Sequence, residues 1–261
     1  MNPQEQRAPV RYHDLSLVEI VPLPSEPSLR VVISREDAPE PSEAARREWD
    51  RLAVINPRLF PGQILAFLGL DELRSEILAR RDSYIRLAVQ PTVTTGSRLL
   101  SVTAILLALD ERGREHVFLG KRADSVRAYS GLWEIGPSGG VGVPPRAVTE
   151  LDADLIAASA LDEIAEEIGL TAAGVEGAAD GAAVLAPQPA CALLRDHGAM
   201  SDDIVVPIRV GVPLERVVLE RNWEYSQTRW VPRDALAAFG SGPGETLIPP
   251  SAALLRWLSR R

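Results

Sequence analysis

Strand-length apolar segments limit the possible folds of this chain more than any other feature. The longest is Leu99–Leu109 (LLSVTAILLAL), which predicts a strand. Shorter apolar segments predict strands at 116–119, 133–135, 182–194, 204–210 and 229–231. Helical spacing of apolar residues is found from roughly 151 to 168 and within 250–258. A set of strands with one helix for each face of the sheet predicts an α/β sandwich. The sheet should be mixed, because strands and helices alternate too irregularly for a doubly wound parallel sheet.

A smaller α+β region is predicted ahead of this sandwich. Apolar runs predict strands at 15–23, 29–34, 64–68 and 84–89, the first two as a hairpin or as neighbours. Between them, Ser42 is a good N-cap for a helix that continues to Ile55. We expect this helix to stop at Asn56, because the residue before a proline is pushed out of helical geometry.

The polar segment 91–97 (PTVTTGS) is the best candidate for a domain boundary, since the strand pattern becomes more regular after it. It divides the chain into an N-terminal α+β extension at 1–95 and a second domain at 96–261. The Ala/Gly-rich stretch 171–183 is most simply a loop that leaves the predicted helix.

The acidic balance of the chain narrows its expected partners. The formal net charge is −8, and nucleic-acid backbones require basic surfaces, so we expect no nucleic-acid partner. A small phosphorylated ligand remains compatible, because a bound divalent cation reverses the local sign of an acidic site. No signal core or membrane-length apolar run occurs, and Cys191 is the single cysteine, so we expect a cytoplasmic protein without a membrane partner. A homodimer is compatible with the sequence.

The predicted helix at 151–168 ends in an unusual group of acidic residues. Ala157, Leu161, Ile164 and Ile168 form its apolar stripe. Glu163, Glu166 and Glu167 stand at i, i+3 and i+4, so their like charges repel one another. Gly169 is predicted to be the C-terminal cap, and negative charge is disfavoured at that end of the helix dipole. A solvated acidic surface is one interpretation, and a divalent cation that turns the repulsion into a gain is the other.

This segment resembles the Nudix box, G-x5-E-x7-R-E-U-x-E-E-x-G-U, in which U is apolar. The second half of the box is similar to DEIAEEIGL at 162–170, which matches at all but one position. Upstream, GLWEIGPSGGV at 131–141 resembles the strand and double glycine that open the box, and TRWVPRDAL at 228–236 resembles a late strand and short helix of the family. The resemblance covers the chain from about residue 99 to its end and implies a Nudix-type α/β/α sandwich.

The match departs from the family pattern at two places. Asp162 stands where the pattern has arginine, and Gly140 precedes it by 22 positions, so about eight residues are inserted. The early glutamate of the box is therefore not assigned; Arg146, Glu150 and Asp154 are the positions that compete for it. An insertion and a non-arginine residue at these places resemble the UDP-sugar hydrolase branch of the superfamily. REWDRLAVINPRLF at 47–60 and the PPSAALLRWL ending also resemble that branch.

The resemblance implies a set of site residues. Glu163, Glu166 and Glu167 would bind Mg²⁺, with Mn²⁺ as the alternative ion, and would also act in catalysis. The carbonyl of Gly139 would be a further metal contact. The residues expected to bind substrate are Arg122, Arg127, Gly140 and Glu224. Glu224 is also a candidate metal ligand or base, with Asp202-Asp203 as its alternative, and Trp223 and Tyr129 are candidates for stacking on a base.

Three functions agree with these residues. The first is hydrolysis of a nucleoside diphosphate sugar such as UDP-glucose to a nucleoside monophosphate and a sugar 1-phosphate. The second is hydrolysis of ADP-ribose or a dinucleotide by the same metal helix. The third is a non-catalytic Nudix-fold module that binds a regulatory ligand, suggested by Asp162, because an acid there adds repulsion where the pattern supplies a cation.

Overall fold

The structure is a computed structural model that describes residues 15–26, 28–126, 128–170, 185–220 and 223–260. Within these residues, thirteen strands form one hydrogen-bonded sheet. The strands are β1 (Val18–Pro22), β2 (Arg30–Ile33), β3 (Gln63–Asp71), β4 (Glu76–Ser83), β5 (Leu99–Leu109), β6 (Glu115–Arg122), β7 (Trp133–Ile135), β8 (Ser138–Gly140), β9 (Glu150–Leu151), β10 (Leu185–Pro187), β11 (Ala192–Asp196), β12 (Ser201–Val210) and β13 (Tyr225–Pro232). The α-helices are α1 (Glu43–Ile55), α2 (Tyr84–Ala88), α3 (Ala153–Ile168) and α4 (Pro249–Leu258). No helix of this described part is long and apolar enough to cross a bilayer.

Strands β5 and β12 form the centre of the sheet. They run parallel, in register from Leu99 opposite Ser201 to Leu107 opposite Arg209. β5 also pairs antiparallel with β6 and with the short β8. β6 in turn pairs antiparallel with β7 and β13. Parallel and antiparallel neighbours in one sheet confirm the predicted mixed sheet, and they bring the glycine-bearing β8 and the late strand β13 to the same region.

The two faces of the central strands carry separate apolar cores. One face packs against α3 through residues that include Val102, Ile204 and Ile164. The other packs against α4 through residues that include Ile105 and Leu254. Successive strand residues point to opposite faces, so even and odd positions of β5 enter different cores. Helices on both faces confirm the predicted α/β sandwich.

The N-terminal strands belong to the same sheet. β1 pairs with β11, β2 pairs with β9, and β3 meets β5 where Ala66 lies opposite Leu99. Helices α1 and α2 form a third, small apolar cluster around Trp49 and Val89. Sheet hydrogen bonds therefore cross the predicted boundary near residue 95, and the division into two domains stays a prediction.

Helix α1 begins and ends as the sequence predicts. Ser42 Oγ accepts a hydrogen bond from Ala45 N at 3.2 Å, which caps the first turn. At the other end, Asn56 N donates to Leu52 O at 2.8 Å, and the helix stops before Pro57.

Two local predictions are wrong. Segment 84–89 is not a strand but contains α2, because Ser83 caps it at Ile85 N (3.3 Å) and Arg86 pairs with Asp82 one turn away (3.0 Å). Segments 15–23 and 29–34 are neither a hairpin nor neighbours. Long-range pairing with β11 places β1 at one end of the strand order, and pairing with β4 and β9 places β2 near the other.

Candidate active site

Helix α3 carries the acidic residues of the predicted site. Asp152 accepts a hydrogen bond from Leu155 N at 2.9 Å and caps the helix, and Gly169 ends it in the left-handed conformation (φ 67°). The buried residues are Ile156, Ala160, Ile164, Glu167 and Ile168. The predicted stripe has Ala157 and Leu161 in place of the first two, so the helix is rotated slightly from the expected orientation. This rotation puts Glu167 on the buried face.

Glu167 is the most buried of the three glutamates, with 3% of its surface exposed. Its Oε2 atom and the hydroxyl of Tyr225 are both buried, and neither makes a hydrogen bond of standard geometry. Burial first, and then the charges of Glu134 and Glu224, raise the pKa of Glu167 well above its ordinary value. A buried carboxylate oxygen without a partner is costly, and a cation or a proton would relieve that cost.

Glu163 lies against the backbone of β8. A Cβ atom at Gly139 would overlap the Glu163 carboxylate, so only glycine fits at that position without a shift. Burial, followed by the charges of Glu166, Glu224 and Asp162, raises the pKa of Glu163 to about 7. The structure therefore brings together two of the predicted metal contacts, Gly139 and Glu163.

Two further carboxylates face this region. Glu166 is exposed on α3, and Glu224, directly before β13, is half-buried. Both raise the pKa of Glu163, and Glu224 also raises that of Glu167. The alternatives to Glu224 lie on β12, where Asp202 forms an ion pair with Arg98. Of the two acidic candidates outside α3, Glu224 is the one that joins the glutamates.

The carboxylates share a region without forming a closed ligand shell. Among the residues that the structure describes, no three His, Cys, Asp or Glu side chains are gathered tightly enough to form a metal centre. The donor set nevertheless consists of oxygen atoms, which hard divalent cations prefer. The buried Oε2 of Glu167, which makes no hydrogen bond of standard geometry, and the glycine backbone beneath Glu163 are two observations that fit a cation at this position.

Arg122, expected to contact phosphate, already has protein partners. Its Nη1 donates to Glu134 Oε1 at 2.6 Å, and its Nε donates to Ala128 O at 3.0 Å. Burial alone would lower the pKa of Arg122. The electrostatic attraction of Glu134, followed by that of Tyr225 and Glu167, is larger, so the pKa of Arg122 is raised. Arg122 is thus a fixed cation beside the glutamates. Arg127 lies outside the described residues.

The two glycines of β8 differ in their surroundings. A Cβ at Gly139 would displace the Glu163 carboxylate, whereas a Cβ at Gly140 would meet only Leu99 Cδ1, at an ordinary 3.6 Å. Gly140 is exposed at the end of β8, opposite Ser101. Packing therefore explains Gly139 but leaves Gly140 open to another residue.

The residues that compete for the early glutamate of the box lie elsewhere. Glu150 accepts a hydrogen bond from Arg30 at 3.2 Å where β9 meets β2. Arg146 donates to Asp37 at 2.5 Å on the surface. Asp154 is in the first turn of α3, whereas the glutamates are in its last turns. Each of the three is thus placed away from the glutamates, and the insertion leads the chain through β9 before it reaches α3.

Sequence analysis missed two residues of the site, Glu134 and Tyr225. Glu134 is buried in β7 between the apolar Trp133 and Ile135, and a lone charge inside an apolar strand is the signal that was available. Tyr225 opens β13 next to Glu224, and its ring lies where a Cβ at Gly120 would stand. Burial raises its pKa well above the ordinary value.

The two stacking candidates have different environments. Trp223 is 58% exposed, and the Arg58 guanidinium lies 5.7 Å from its ring centroid, so the N-terminal region contacts the segment that carries Glu224. Tyr129 is buried and donates its hydroxyl hydrogen bond to Asp196. Of the two, only Trp223 is exposed to solvent.

Comparisons with known proteins were made on sequence and on structure. No protein-family model and no curated protein sequence matches the chain. Solved structures that are similar include a Nudix hydrolase from M. smegmatis, 20% identical over 62% of this chain and 84% of that chain, with a TM-score of 0.43. A MutT protein from Methanosarcina mazei is 18% identical over 62% of this chain and 93% of that chain, with a TM-score of 0.38. A bifunctional NMN adenylyltransferase/ADP ribose pyrophosphatase from Francisella tularensis is 12% identical over 67% of this chain and 44% of that chain, with a TM-score of 0.42.

Proposed function

We propose that this chain is a magnesium-dependent, Nudix-type pyrophosphohydrolase that cleaves the diphosphate of a nucleoside diphosphate sugar, with UDP-glucose as the expected example. The products would be a nucleoside monophosphate and a sugar 1-phosphate. The observation that carries the proposal is the pair Glu163 and Glu167, two neighbouring glutamates with raised pKa values, one of them buried with only the Tyr225 hydroxyl as its hydrogen-bonding neighbour. Perturbed carboxyl groups of this kind are characteristic of functional sites. They fall in the segment that resembles the Nudix box.

The donor set fits a hard divalent cation. Glu163, Glu166 and Glu167 would hold one or more Mg²⁺ ions, with the carbonyl of Gly139 as a further contact and Glu224 as an additional ligand. Mn²⁺ is the alternative, since it also accepts oxygen ligands. When bound, the ion neutralises the diphosphate oxygens, which otherwise repel a nucleophile, and acidifies a coordinated water.

The side chains of the protein supply proton transfer and orientation. The general base is one of Glu163, Glu166, Glu167 and Glu224, each of which faces the region where the reacting phosphorus would lie. Arg122, held in place by Glu134, presents a fixed positive charge beside the glutamates for the diphosphate oxygens. Gly139 and Gly140 have no side chains, so the diphosphate can approach the backbone of β8.

The preference for a UDP-sugar is argued from sequence. The insertion before α3, Asp162 and the PPSAALLRWL ending are the features that resemble the UDP-sugar branch. The runner-up is hydrolysis of ADP-ribose or a related dinucleotide, which the same glutamates would serve. The exposed ring of Trp223 offers a stacking surface to either kind of base.

A substrate panel tests the proposal. The purified chain would be incubated with Mg²⁺ and UDP-glucose, UDP-galactose, ADP-ribose and diadenosine polyphosphates in turn, and the products separated by ion-exchange chromatography. We expect UMP and a sugar 1-phosphate from the UDP-sugars, no activity in EDTA, and no activity from Glu163→Gln/Glu167→Gln. Asp162→Asn, which removes an exposed acid of the same helix, is the matched control and should remain active. If only ADP-ribose is cleaved, with release of AMP, the substrate assignment changes from a UDP-sugar to ADP-ribose. If no substrate is turned over, the proposal is refuted.

A non-catalytic regulatory module is the second class of function, and Asp162 is the observation that favours it. Asp162 adds to the charges that raise the pKa of Glu163, where the family pattern has a cation. A module of this class would bind a nucleotide in the substrate panel without consuming it. Ligand binding with no product after prolonged incubation in Mg²⁺ would support this class over the enzyme.

A further inference from the structure

A cavity of about 140 Å³ lies on the α4 face of the central sheet and reaches the backbone of β8 at Gly139, against which the Glu163 carboxylate packs. Arg122, Glu134 and Gly139 line the end beside the candidate metal site. The walls at the other end come from β5, β12 and the start of α4, and they include Asp203, Ser101 and Thr103. The cavity therefore borders both the backbone beneath Glu163 and a carboxylate, that of Asp203, which the proposed chemistry does not use.

Asp203 is held at this end by two hydroxyl groups. It lies directly opposite Ser101 in the parallel pairing of β12 and β5. Thr103 Oγ1 donates to its Oδ2 at 3.2 Å, and Ser101 Oγ donates to its Oδ1. Only 9% of Asp203 is exposed. The carboxylate is thus fixed in orientation by neighbours on the next strand.

The adjacent aspartate provides a contrast. Asp202 points to the other face of the sheet, as alternation along a strand requires, and its charge is balanced by ion pairs with Arg98 (2.5 Å) and Arg195 (3.4 Å). Within the described part of the chain, Asp203 forms no ion pair with an arginine, lysine or histidine. Burial raises the pKa of Asp203 to about 6. A buried carboxyl group that costs free energy and lines a cavity is a candidate for ligand recognition.

The size and charge of the cavity limit what it can hold. Pockets for whole drug-sized ligands have volumes of about 300–1,000 Å³, so this one fits a single ring of the substrate. Asp203, together with the nearby Asp196, repels anions, so the phosphates are excluded from this end. Carboxylate oxygens accept hydrogen bonds, so the ring that enters must be neutral and must carry N–H or O–H donors.

We propose that Asp203, positioned by Ser101 and Thr103, binds a neutral, hydrogen-bond-donating ring of the substrate while the diphosphate lies at the glutamates. The ring is either the base, through an imino N–H, or the sugar, through its hydroxyl groups. This assignment rests on the proposed function, because it uses the diphosphate to fix which end of the substrate reaches Asp203. In this assignment Asp203 determines substrate specificity, and the metal ligands are the same as in the proposed function.

Calorimetric titrations with the two halves of the substrate test the assignment. UMP carries the base without the sugar, and glucose 1-phosphate carries the sugar without the base. Both would be titrated, in the presence of Mg²⁺, into the wild-type chain, Asp203→Asn and the matched control Asp202→Asn. The Asn side chain keeps the shape of Asp but replaces one charged acceptor by a donor. We expect Asp203→Asn to weaken one of the two ligands about tenfold or more, as loss of a hydrogen bond to a charged group implies.

The outcomes separate the possibilities. Weakening of UMP alone places the base in the cavity, and weakening of glucose 1-phosphate alone places the sugar there. Unchanged affinity of both ligands for Asp203→Asn, or equal weakening by Asp202→Asn, overturns the assignment even when UDP-glucose is hydrolysed normally. If the wild-type chain binds neither ligand and cleaves no substrate, the proposed function fails and this assignment fails with it. Thr103→Val, which removes one positioning hydroxyl, should weaken the same ligand as Asp203→Asn.

Discussion

Replacement of Glu163 by glutamine should stabilise the metal-free protein at alkaline pH. The pKa of Glu163 is raised from an ordinary 4.5 to about 7 in the folded chain, so the folded state resists ionisation of this carboxyl group. The protonated form contributes stability that is fully present below pH 4.5 and is lost as the pH rises through 7. Glutamine cannot ionise and therefore avoids that loss.

The magnitude follows from the size of this pKa change. Each pKa unit corresponds to about 1.4 kcal/mol, so the change from 4.5 to about 7 gives an upper limit of about 3.5 kcal/mol well above pH 7. Glu163 is only partly buried, and solvent screening reduces the effect, so we expect about 1–3 kcal/mol. Near pH 5 most of the penalty is absent in both proteins, so the difference should fall below about 1 kcal/mol.

Urea unfolding in EDTA, at about pH 5 and about pH 8.5, measures this difference. The free energy of unfolding of Glu163→Gln should exceed that of the wild type at the higher pH and approach it at the lower. Asp162→Asn, one residue away and exposed, should differ from the wild type by no more than about 0.5 kcal/mol. A glutamine variant that is less stable at high pH, or a difference independent of pH, would refute the reasoning that Glu163 is penalised by burial and by its acidic neighbours.

Three further predictions follow from the same structure. Mg²⁺ should bind more weakly as the pH falls below about 7, because Glu163 must lose its proton to bind the ion. Calorimetric titrations in buffers of different ionisation enthalpy should detect the released proton, and Mg²⁺ binding without proton release at neutral pH would contradict the prediction. Gly139→Ala should lose activity, because the added Cβ would overlap the Glu163 carboxylate, whereas Gly140→Ala should keep most of its activity. Equal kcat/KM values for the two variants would contradict this difference. Asp203→Asn should raise the melting temperature near pH 8 but not near pH 4. The pKa of Asp203 is raised from 3.8 to about 6, so the wild-type protein loses stability as the pH rises through this range, and asparagine avoids that loss. A variant that melts at a lower temperature than the wild type at both pH values would contradict this prediction.

The central sandwich was predictable because its strands are covered on both sides. β5 and β12 lie between α3 and α4, so both contain long apolar segments, 104–109 in β5 and 204–208 in β12. β4 escaped detection because its sequence, EILARRDS, mixes buried apolar residues with arginines and an aspartate. The error at α2 has a similar cause, since a short apolar segment does not distinguish helix from strand, and Asp82, the partner of Arg86, lies in β4 just before the helix begins.

The candidate site was predictable where it depends on residues close in sequence. The i, i+3, i+4 spacing of the glutamates and the ending of the helix at Gly169 are local properties of α3. The partner of Arg122 is not, because Glu134 reaches it only through the register of β6 and β7. The environment of Asp203 depends in the same way on Ser101, which lies 102 residues away. Such positions are determined by strand pairing, which the sequence pattern does not specify.

The central claim is that the glutamates of α3 form a metal site, and calorimetry tests it most directly. Mg²⁺ would be titrated, at a pH above 7, into the wild-type chain and into Glu166→Gln/Glu167→Gln. We expect saturable binding at millimolar Mg²⁺ or below to the wild type, and loss of that binding in the double variant with its fold intact. Asp162→Asn should bind Mg²⁺ as the wild type does. A wild-type chain that binds no Mg²⁺ at millimolar concentration, or a double variant that binds it equally well, would contradict the claim that the glutamates of α3 form the metal site.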